Sequence, residues 1–493
     1  MPLLFTINYS LLTINSSMAN SIYWYDYETF GIDPRYDRLS QFAGIRTDEN
    51  LNIISDPLTL YCKPADDCIP DPRACMITGI TPQKALAEGV NEAEFISTIH
   101  REFSTPGTCI AGYNNIRFDD EFTRNALYRN FFNAYAHEWQ NGNSRWDIID
   151  TVRLTRALRP EGINWPEQNG KPSIRLELLT KANNIKHEAA HDAMSDVYAT
   201  IAVAKLIKDK QPRLYDYTYS MRKKAEVSKQ INLYTRDALL HVSSRYSAER
   251  GAIAMVMPIC QHPVNKNGII MYDLNVHPED FFAADAEEMA ARLYTPAAEL
   301  PEGIKRIPLK QIHINKCPVI VPLKTMDEKA AERLKINTET CQSHRELILQ
   351  HIDEFAAKTS SIFANSDFPE VSDPDGQLYS GGFFSRDDSQ RIDTIRNTHE
   401  KNLSELQFNF DDARLQEMLF RYRARNYPNT LNDDERQQWN DYRQDKFTNP
   451  ATSNRTINQF MAEIETIRTA PDTLGSQLAL LDELCNYVNS VKP

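Results

Sequence analysis

The spacing of apolar residues changes twice along the 493-residue chain, and those changes limit the folds open to it. Over the first 210 residues strand-like and helix-like runs alternate, which is the pattern of an α/β domain. "SIYWYDYET" (21–29) is aromatic and β-rich and ends in acids, and "TCIAGYNN" (108–115) is a second short strand. "DDEFTRNALYRNFF" (119–132) then opens a helix with acids in its first turn. "DAMSDVYATIAVAKLIKDK" (192–210) places Met194, Val197, Ile201, Ala204 and Leu206 at helical spacing and ends in lysines.

Pro212 marks the first boundary, so the α/β domain is expected over 18–212. Residues 213–364 carry short β-like runs such as "ERGAIAMVMPI", "NGIIMYDL" and "HINKCPVIVPL", separated by Pro and Asn-Gly turns. A small β-rich domain is expected there, with helices inserted around 285–295 and 327–357. The turn-rich stretch 365–385 reads as a linker, and it leads into an all-helical C-terminal domain, 365–493 in total. Three domains suit a chain of this length.

The N-terminal 17 residues contain no charge, but they are too rich in Asn, Ser and Thr to span a bilayer. They read as a disordered or mis-assigned extension, with Met18 as the initiator. No other stretch suits a membrane, and the chain is expected to be a cytoplasmic protein without a membrane partner. The eight cysteines are sparse, and Cys62, Cys68 and Cys75 fit no zinc-knuckle spacing, so free buried thiols in a reducing compartment are expected. A net charge of −13 excludes a wholly basic nucleic-acid coat but leaves room for a local basic channel.

"HEAAHDAMSD" (187–196) supports two incompatible chemistries. His187, Glu188 and His191 spell H-E-x-x-H, in which two helical histidines bind zinc and the glutamate activates water. Asp192 then stands where such a helix buries an apolar side, and no further Glu follows before Glu226. Alternatively, His191 and Asp196 complete a set with Asp26, Glu28 and Asp119. Asp26 and Glu28 lie at i and i+2 of a strand, so both carboxylates face one side. Asp119 opens a helix and Asp196 lies one turn into another. Four such carboxylates can hold two divalent cations about 4 Å apart for phosphoryl transfer. Oxygen donors suit Mg²⁺ or Mn²⁺ rather than zinc. His191 can take the proton of an attacking water. On this reading Asp120 and Asp192 are solvated helix-start acids and His187 is a surface histidine.

"YDYETFG", "GYNNIRFDDEF" and "AHDAMSDVYATIA" resemble, in order and spacing, the three motifs of the DEDDh exonuclease superfamily. "SRWDIIDTVRLTRALRPEGINWP", "KPSIRLELLTKAN", "HINKCPV" and "YRARNYPNTL" extend the resemblance to bacterial exonuclease I over nearly all the chain after Met18. The resemblance implies a ribonuclease H-like exonuclease domain, an SH3-like β domain and a helical domain, closing a ring-like groove over DNA. It implies 3′→5′ degradation of single-stranded DNA to 5′-mononucleotides in repair and recombination, by a monomer that docks to single-stranded DNA-binding protein. Arg159 and the basic stretch 205–229 are the docking candidates. An exoribonuclease of the same superfamily is the alternative. A non-catalytic DNA-binding repair scaffold would gain nothing from clustered negative charge beside phosphate.

Strand binding should combine cations for phosphates with aromatic faces for bases. Arg124, Tyr135 and Trp139 interleave both after Asp119, and Arg153 and Arg175 lie in segments close to the family pattern. Glu28 is also expected to touch substrate. Residues 303–324 hold five positive charges and no acid, including Lys310 and Lys316. This stretch could line the groove.

Overall fold

The computed structural model describes residues 20–187, 191–296, 299–304, 306–364, 371–471 and 473–493. The extension expected at 1–17, and Met18, lie outside the described residues.

Strand β1 (Ser21–Thr29) buries Ile22, Tyr23, Trp24, Tyr25 and Tyr27, so it needs cover on both faces. It receives that cover at the centre of a five-stranded mixed sheet of order β3-β2-β1-β4-β5. β2 (Leu39–Asp48) runs antiparallel to β1 and pairs with β3 (Leu58–Tyr61). β4 (Thr108–Gly112) and β5 (Ser144–Asp147) run parallel to β1. Four helices of this domain matter below: α1 (Glu92–Phe103), α2 (Asp119–Arg129), α3 (Ile148–Leu158) and α4 (Leu176–Ala182). A fifth, α5 (Ala193–Lys210), lays Val197, Ile201 and Ala204 against Ile22 and Trp24. On the opposite face Tyr23, Tyr25 and Tyr27 pack with Phe95 of α1 and Phe122 of α2.

The second domain is an antiparallel sheet of order β9-β8-β7-β6-β10. Its strands are β6 (Leu239–Val242), β7 (Ile253–Gln261), β8 (Gly268–Asp273), β9 (Leu309–His313) and β10 (Ile320–Pro322). Its core includes Phe281 stacked on Phe355 and runs without a break into Leu154, Ala157 and Leu158 of α3. The described residues beyond 371 contain helices and no strand, as the periodicity predicts. They dock on the first domain through two apolar clusters, one joining Phe30 and Cys75 to Phe460 and Leu481, the other joining Tyr128 and Phe131 to Leu415 and Met418. Between these clusters lies Asp67, wholly buried. Burial opposes its ionisation, but Arg425 (2.9 Å), Lys446 (2.7 Å) and Arg38 (3.7 Å) hold its carboxyl well below the usual range.

The stretch expected as a linker differs from that expectation over its described part, 371–385. It forms a strap across α2. Tyr128 donates its hydroxyl to the Pro374 carbonyl (3.1 Å), and Tyr379 bonds Glu121. Arg414 donates to the carbonyls of Gln377 and Gly382, both at 3.2 Å. This turn-rich segment is held here by satisfying its carbonyls and by Leu378 and Phe384, which pack on the apolar cluster around Tyr128. Gly381 lies so close beneath Arg414 that any side chain would enter the guanidinium.

All eight cysteines are free thiols, six of them buried. No helix among the described residues is long and apolar enough to cross a membrane.

Candidate active site

Parallel pairing of β1 with β4 ends at Trp24 and Ala111, so Asp26 and Glu28 extend past their parallel neighbour. That is the carboxyl end of the sheet, where open α/β folds bind ligands. On the other side Asp26 still pairs with Ala43 and Glu28 with Gln41, and the register shifts immediately after Glu28. At the end of β4 the chain must turn away within a few residues. Gly112 permits it, since a Cβ there would come within 2.9 Å of the Tyr25 carbonyl. Asn114 follows in the left-handed region at φ 68°, its amide donating to Asp147 (2.8 Å). One short turn later Asp119 is the first residue of α2, buried, and accepts from the Tyr27 amide.

Asp192 caps α5, accepting from the Ser195 amide at 3.0 Å, and Asp196 follows in the first turn. Asp26, Glu28 and Asp196 each offer a carboxylate oxygen, and these atoms all lie within 4.8 Å of one another. Asp119 stands beside that trio: after burial, it is the largest influence raising the Asp26 carboxyl well above its usual range. Glu28 is pushed up to about 9 by burial, then by Asp196 and Asp119. Burial also raises Asp196, against the opposing pull of His187. Mutual repulsion of this kind is relieved by a cation, and a donor set of oxygens alone fits a hard divalent ion.

A pH dependence follows. Glu28 binds its proton more tightly folded than unfolded, so metal-free protein loses stability as pH rises from Glu28's ordinary 4.5 through about 9. A bound divalent cation removes that loss. Thermal melts at pH 6 and pH 9, with chelator and with Mg²⁺, should show the metal raising the melting temperature more at pH 9; an equal rise at both would contradict it.

The structure places His191 in the left-handed region, φ 67°, exposed at the mouth of the acidic cluster, with its amide 3.3 Å from Asp196 Oδ2. His187 lies in irregular chain, and α5 starts only at Ala193. The two histidines therefore share no helical face, and the zinc-protease geometry does not form. Glu188 is outside the described residues.

Two expectations are corrected. His187 is not a surface residue: its side chain is 4% exposed and Nε2 stands 2.5 Å from Asp196 Oδ1. Asp120 is not solvated either. It is buried, accepting from the Tyr25 hydroxyl (2.5 Å) and pairing with Arg145 (2.5 Å), because α2 turns it towards the sheet interior. Adjacent acids thus divide the work: Asp119 faces the cluster and Asp120 holds the fold. Asp120→Ala should destabilise the protein by about 1–3 kcal/mol, since the buried Tyr25 hydroxyl loses its acceptor and Arg145 loses one of its two carboxylate partners, keeping Glu138 at 3.0 Å. Denaturant unfolding measures this, and a loss under about 1 kcal/mol would show that water replaces the carboxylate. Asp192, the cap of α5, is exposed as expected.

The residues expected to hold the strand are dispersed. Trp139 is 65% exposed, and Tyr135 is half-buried beneath the Arg124 guanidinium. Arg124 itself is buried between Glu138 (2.6 Å) and Glu121 (2.7 Å), so it carries little free charge towards solvent. These three border a cleft of about 970 Å³ with Arg222, Lys224, Lys316 and Tyr379. Arg153 pairs with Asp150, and Arg175, exposed, pairs with Glu177. A second cleft, about 510 Å³, lies between the first two domains and gathers Arg117, Arg245, Lys310 and Lys316. Burial lowers Lys310 to about 7, and Arg117, Arg245 and Arg153 lower it further against the pull of Asp150. Arg117 and Arg245 were not singled out from the sequence; each stands alone, outside any basic run.

Family models match the chain in three consecutive parts. Residues 23–204 match an exonuclease, 222–365 the exonuclease I SH3-like domain and 372–491 the exonuclease I C-terminal domain. Exodeoxyribonuclease I of Escherichia coli K12 is 47% identical over 436 residues, covering 88% of this chain and 91% of that protein. The chain belongs to the exonuclease I family. It is an exodeoxyribonuclease, and the metal dependence of its exonuclease domain is on a divalent cation. Among solved exonuclease I structures, that from Methylocaldum szegediense is 47% identical with a TM-score of 0.92, covering 96% of this chain and 100% of its own. E. coli exonuclease I in complex with a dA16 oligonucleotide is 44% identical with a TM-score of 0.91 and the same coverage. A zinc-ion-bound form of the E. coli complex with single-stranded DNA is also known (43%, TM-score 0.91, 96% and 99% covered). So is an SSB/exonuclease I structure with an inhibitor (44%, TM-score 0.87, 96% and 100% covered). E. coli oligoribonuclease is 27% identical over 195 residues, only 38% of this chain.

Proposed function

We propose that the protein removes nucleotides one at a time from the 3′ end of single-stranded DNA, releasing 5′-mononucleotides, with Mg²⁺ as its natural cofactor. Asp26, Glu28 and Asp196 hold the cations and Asp119 completes the set. Bound there, two Mg²⁺ ions, or Mn²⁺ in their place, supply charge neutralisation at the scissile phosphate and the departing 3′-oxygen. The chain's own groups do the rest. His191, exposed beside Asp196, accepts the proton of the attacking water as it adds to phosphorus. The phosphorus–O3′ bond breaks, the departing 3′-oxygen takes a proton from solvent, and the shortened strand is left with a 3′-hydroxyl. Glu28 also touches the terminal nucleotide. The observation that carries this reading is the convergence of three carboxylates within 4.8 Å, beside Asp119 and at the end of the sheet.

Trp139 and Tyr135 stack bases, Arg153 and Arg175 meet phosphates, and Arg124 orients Tyr135. Crowded cations around Lys310 support a polyanion path between the first two domains, because phosphates would relieve their repulsion. A preference for DNA over RNA rests on the match along the whole chain, since the match to oligoribonuclease covers 38% of it. The protein acts as a cytoplasmic monomer in repair, with domains divided near 212 and 364. It docks to single-stranded DNA-binding protein through Arg159 and the 205–229 stretch, a reading supported by the SSB structure of its relative.

The test uses strands labelled at either end, as DNA and as RNA, with Mg²⁺. Labelled mononucleotide should appear at once from 3′-labelled DNA and last from 5′-labelled DNA. Equal cleavage of RNA would favour the exoribonuclease reading, and internal products would overturn both.

A further inference from the structure

We propose that His187 is a positioning residue for the metal site, holding the Asp196 carboxylate in the orientation that faces Asp26 and Glu28. The inference rests on the proposed role of Asp196 as a ligand. Asp196 is anchored to α5 only through its own two side-chain torsions, and Asp26 and Glu28 repel it. Without a partner it would turn towards solvent.

His187 supplies that partner from a separate element. Its Nε2 is 2.5 Å from Asp196 Oδ1, and its Nδ1 is 3.1 Å from the Thr180 hydroxyl. Thr180 is fully buried on α4, with its Oγ1 2.9 Å from the Leu176 carbonyl. A relay thus runs from α4 through Thr180 and His187 to the first turn of α5. The His191 amide engages the other oxygen, Oδ2, at 3.3 Å. The spacing that imitates a zinc protease has a physical purpose here: both histidines serve Asp196, one by its ring and one by its backbone. Both ring nitrogens of His187 are occupied, so neither can take the proton of an attacking water. That separates its role from that of exposed His191. Outer partners of metal-binding carboxylates typically contribute 10–100-fold to metal affinity or activity.

The experiment compares His187→Ala, His187→Gln, Thr180→Val and Asp196→Asn with the wild type. Mn²⁺ affinity is measured calorimetrically on the full chain without DNA, and kcat, KM and the pH profile are measured on single-stranded DNA. His187→Ala should weaken Mn²⁺ binding and lower kcat about 10–100-fold, with KM little changed. His187→Gln keeps an N–H donor at the same reach and should recover most of both. Thr180→Val should show a smaller loss in the same direction. The pH at half-maximal kcat should not move in any of the three. Should His187→Ala fail to fold, the Gln and Val variants carry the comparison. Wild-type Mn²⁺ affinity in His187→Ala, with binding lost in Asp196→Asn, overturns the positioning role alone. Wild-type affinity in Asp196→Asn overturns the ligand reading beneath it. A pH profile that loses its basic-group limb in His187→Gln makes His187 the proton acceptor and also overturns the proposal.

Discussion

Asp26→Asn should abolish hydrolysis and, in chelator at pH 8, melt at a higher temperature than the wild type. The two effects share one cause. The wild-type carboxyl is buried among Asp119, Glu28 and Asp196, and burial and repulsion raise it well above its usual range. Asparagine has the same shape and no charge, so the metal-free fold loses a repulsion and keeps its packing. The melting advantage should shrink as pH falls and vanish below about 3, where the wild-type carboxyl is protonated in both folded and unfolded chains. Turnover, however, needs that charge to hold a cation. Losing several kcal/mol of transition-state stabilisation lowers the rate about 10³-fold or more. Binding of a single-stranded oligonucleotide should persist, since a negative charge beside phosphate is removed. Near-normal turnover in Mg²⁺, or a variant less stable than wild type in chelator, would each contradict the assignment.

The second large effect is on the proton. His191→Asn should lower kcat about 10²–10⁴-fold, the usual contribution of a general base, while Mn²⁺ affinity stays close to wild type. Asparagine is the informative replacement because His191 sits at φ 67°, a conformation asparagine tolerates and alanine resists. The backbone amide that reaches Asp196 is then preserved, and the loss reports on the ring alone. The pH profile should flatten on its acidic side. If His191→Asn cleaves at the wild-type rate, proton transfer does not pass through this ring.

Much of this site was legible because its chemistry coincides with regular periodicity. Asp26 and Glu28 share a face by the two-residue repeat of a strand, and Asp196 follows its cap by one helical turn. The two changes of apolar spacing likewise separate three real architectures, since each depends on local pattern. What stayed hidden depends on partners distant in sequence. Asp120 looks like an ordinary first-turn acid until β5 brings Arg145 against it, and Arg124 looks like a free cation until Glu138 folds back. His187 sits in irregular chain, where no periodicity tells which way a ring turns. The strap at 371–385 failed for a related reason: Gly, Pro, Ser and Asp signal turns, but say nothing about whether arginines elsewhere will collect their carbonyls.

Buried Asp67 has a consequence for engineering. It belongs to the exonuclease domain, yet two of its three cations, Arg425 and Lys446, are supplied from the far end of the chain. A catalytic fragment trimmed after Pro212 would contain all five of the residues proposed for chemistry and still leave this carboxylate facing one arginine at 3.7 Å. It would also expose Phe30 and Tyr128 to water. The nuclease is therefore a poor donor for modular fusions. Its smallest portable unit is close to the entire polypeptide, and ribosomal synthesis must reach the last helices before the first domain has its full complement of counter-charges.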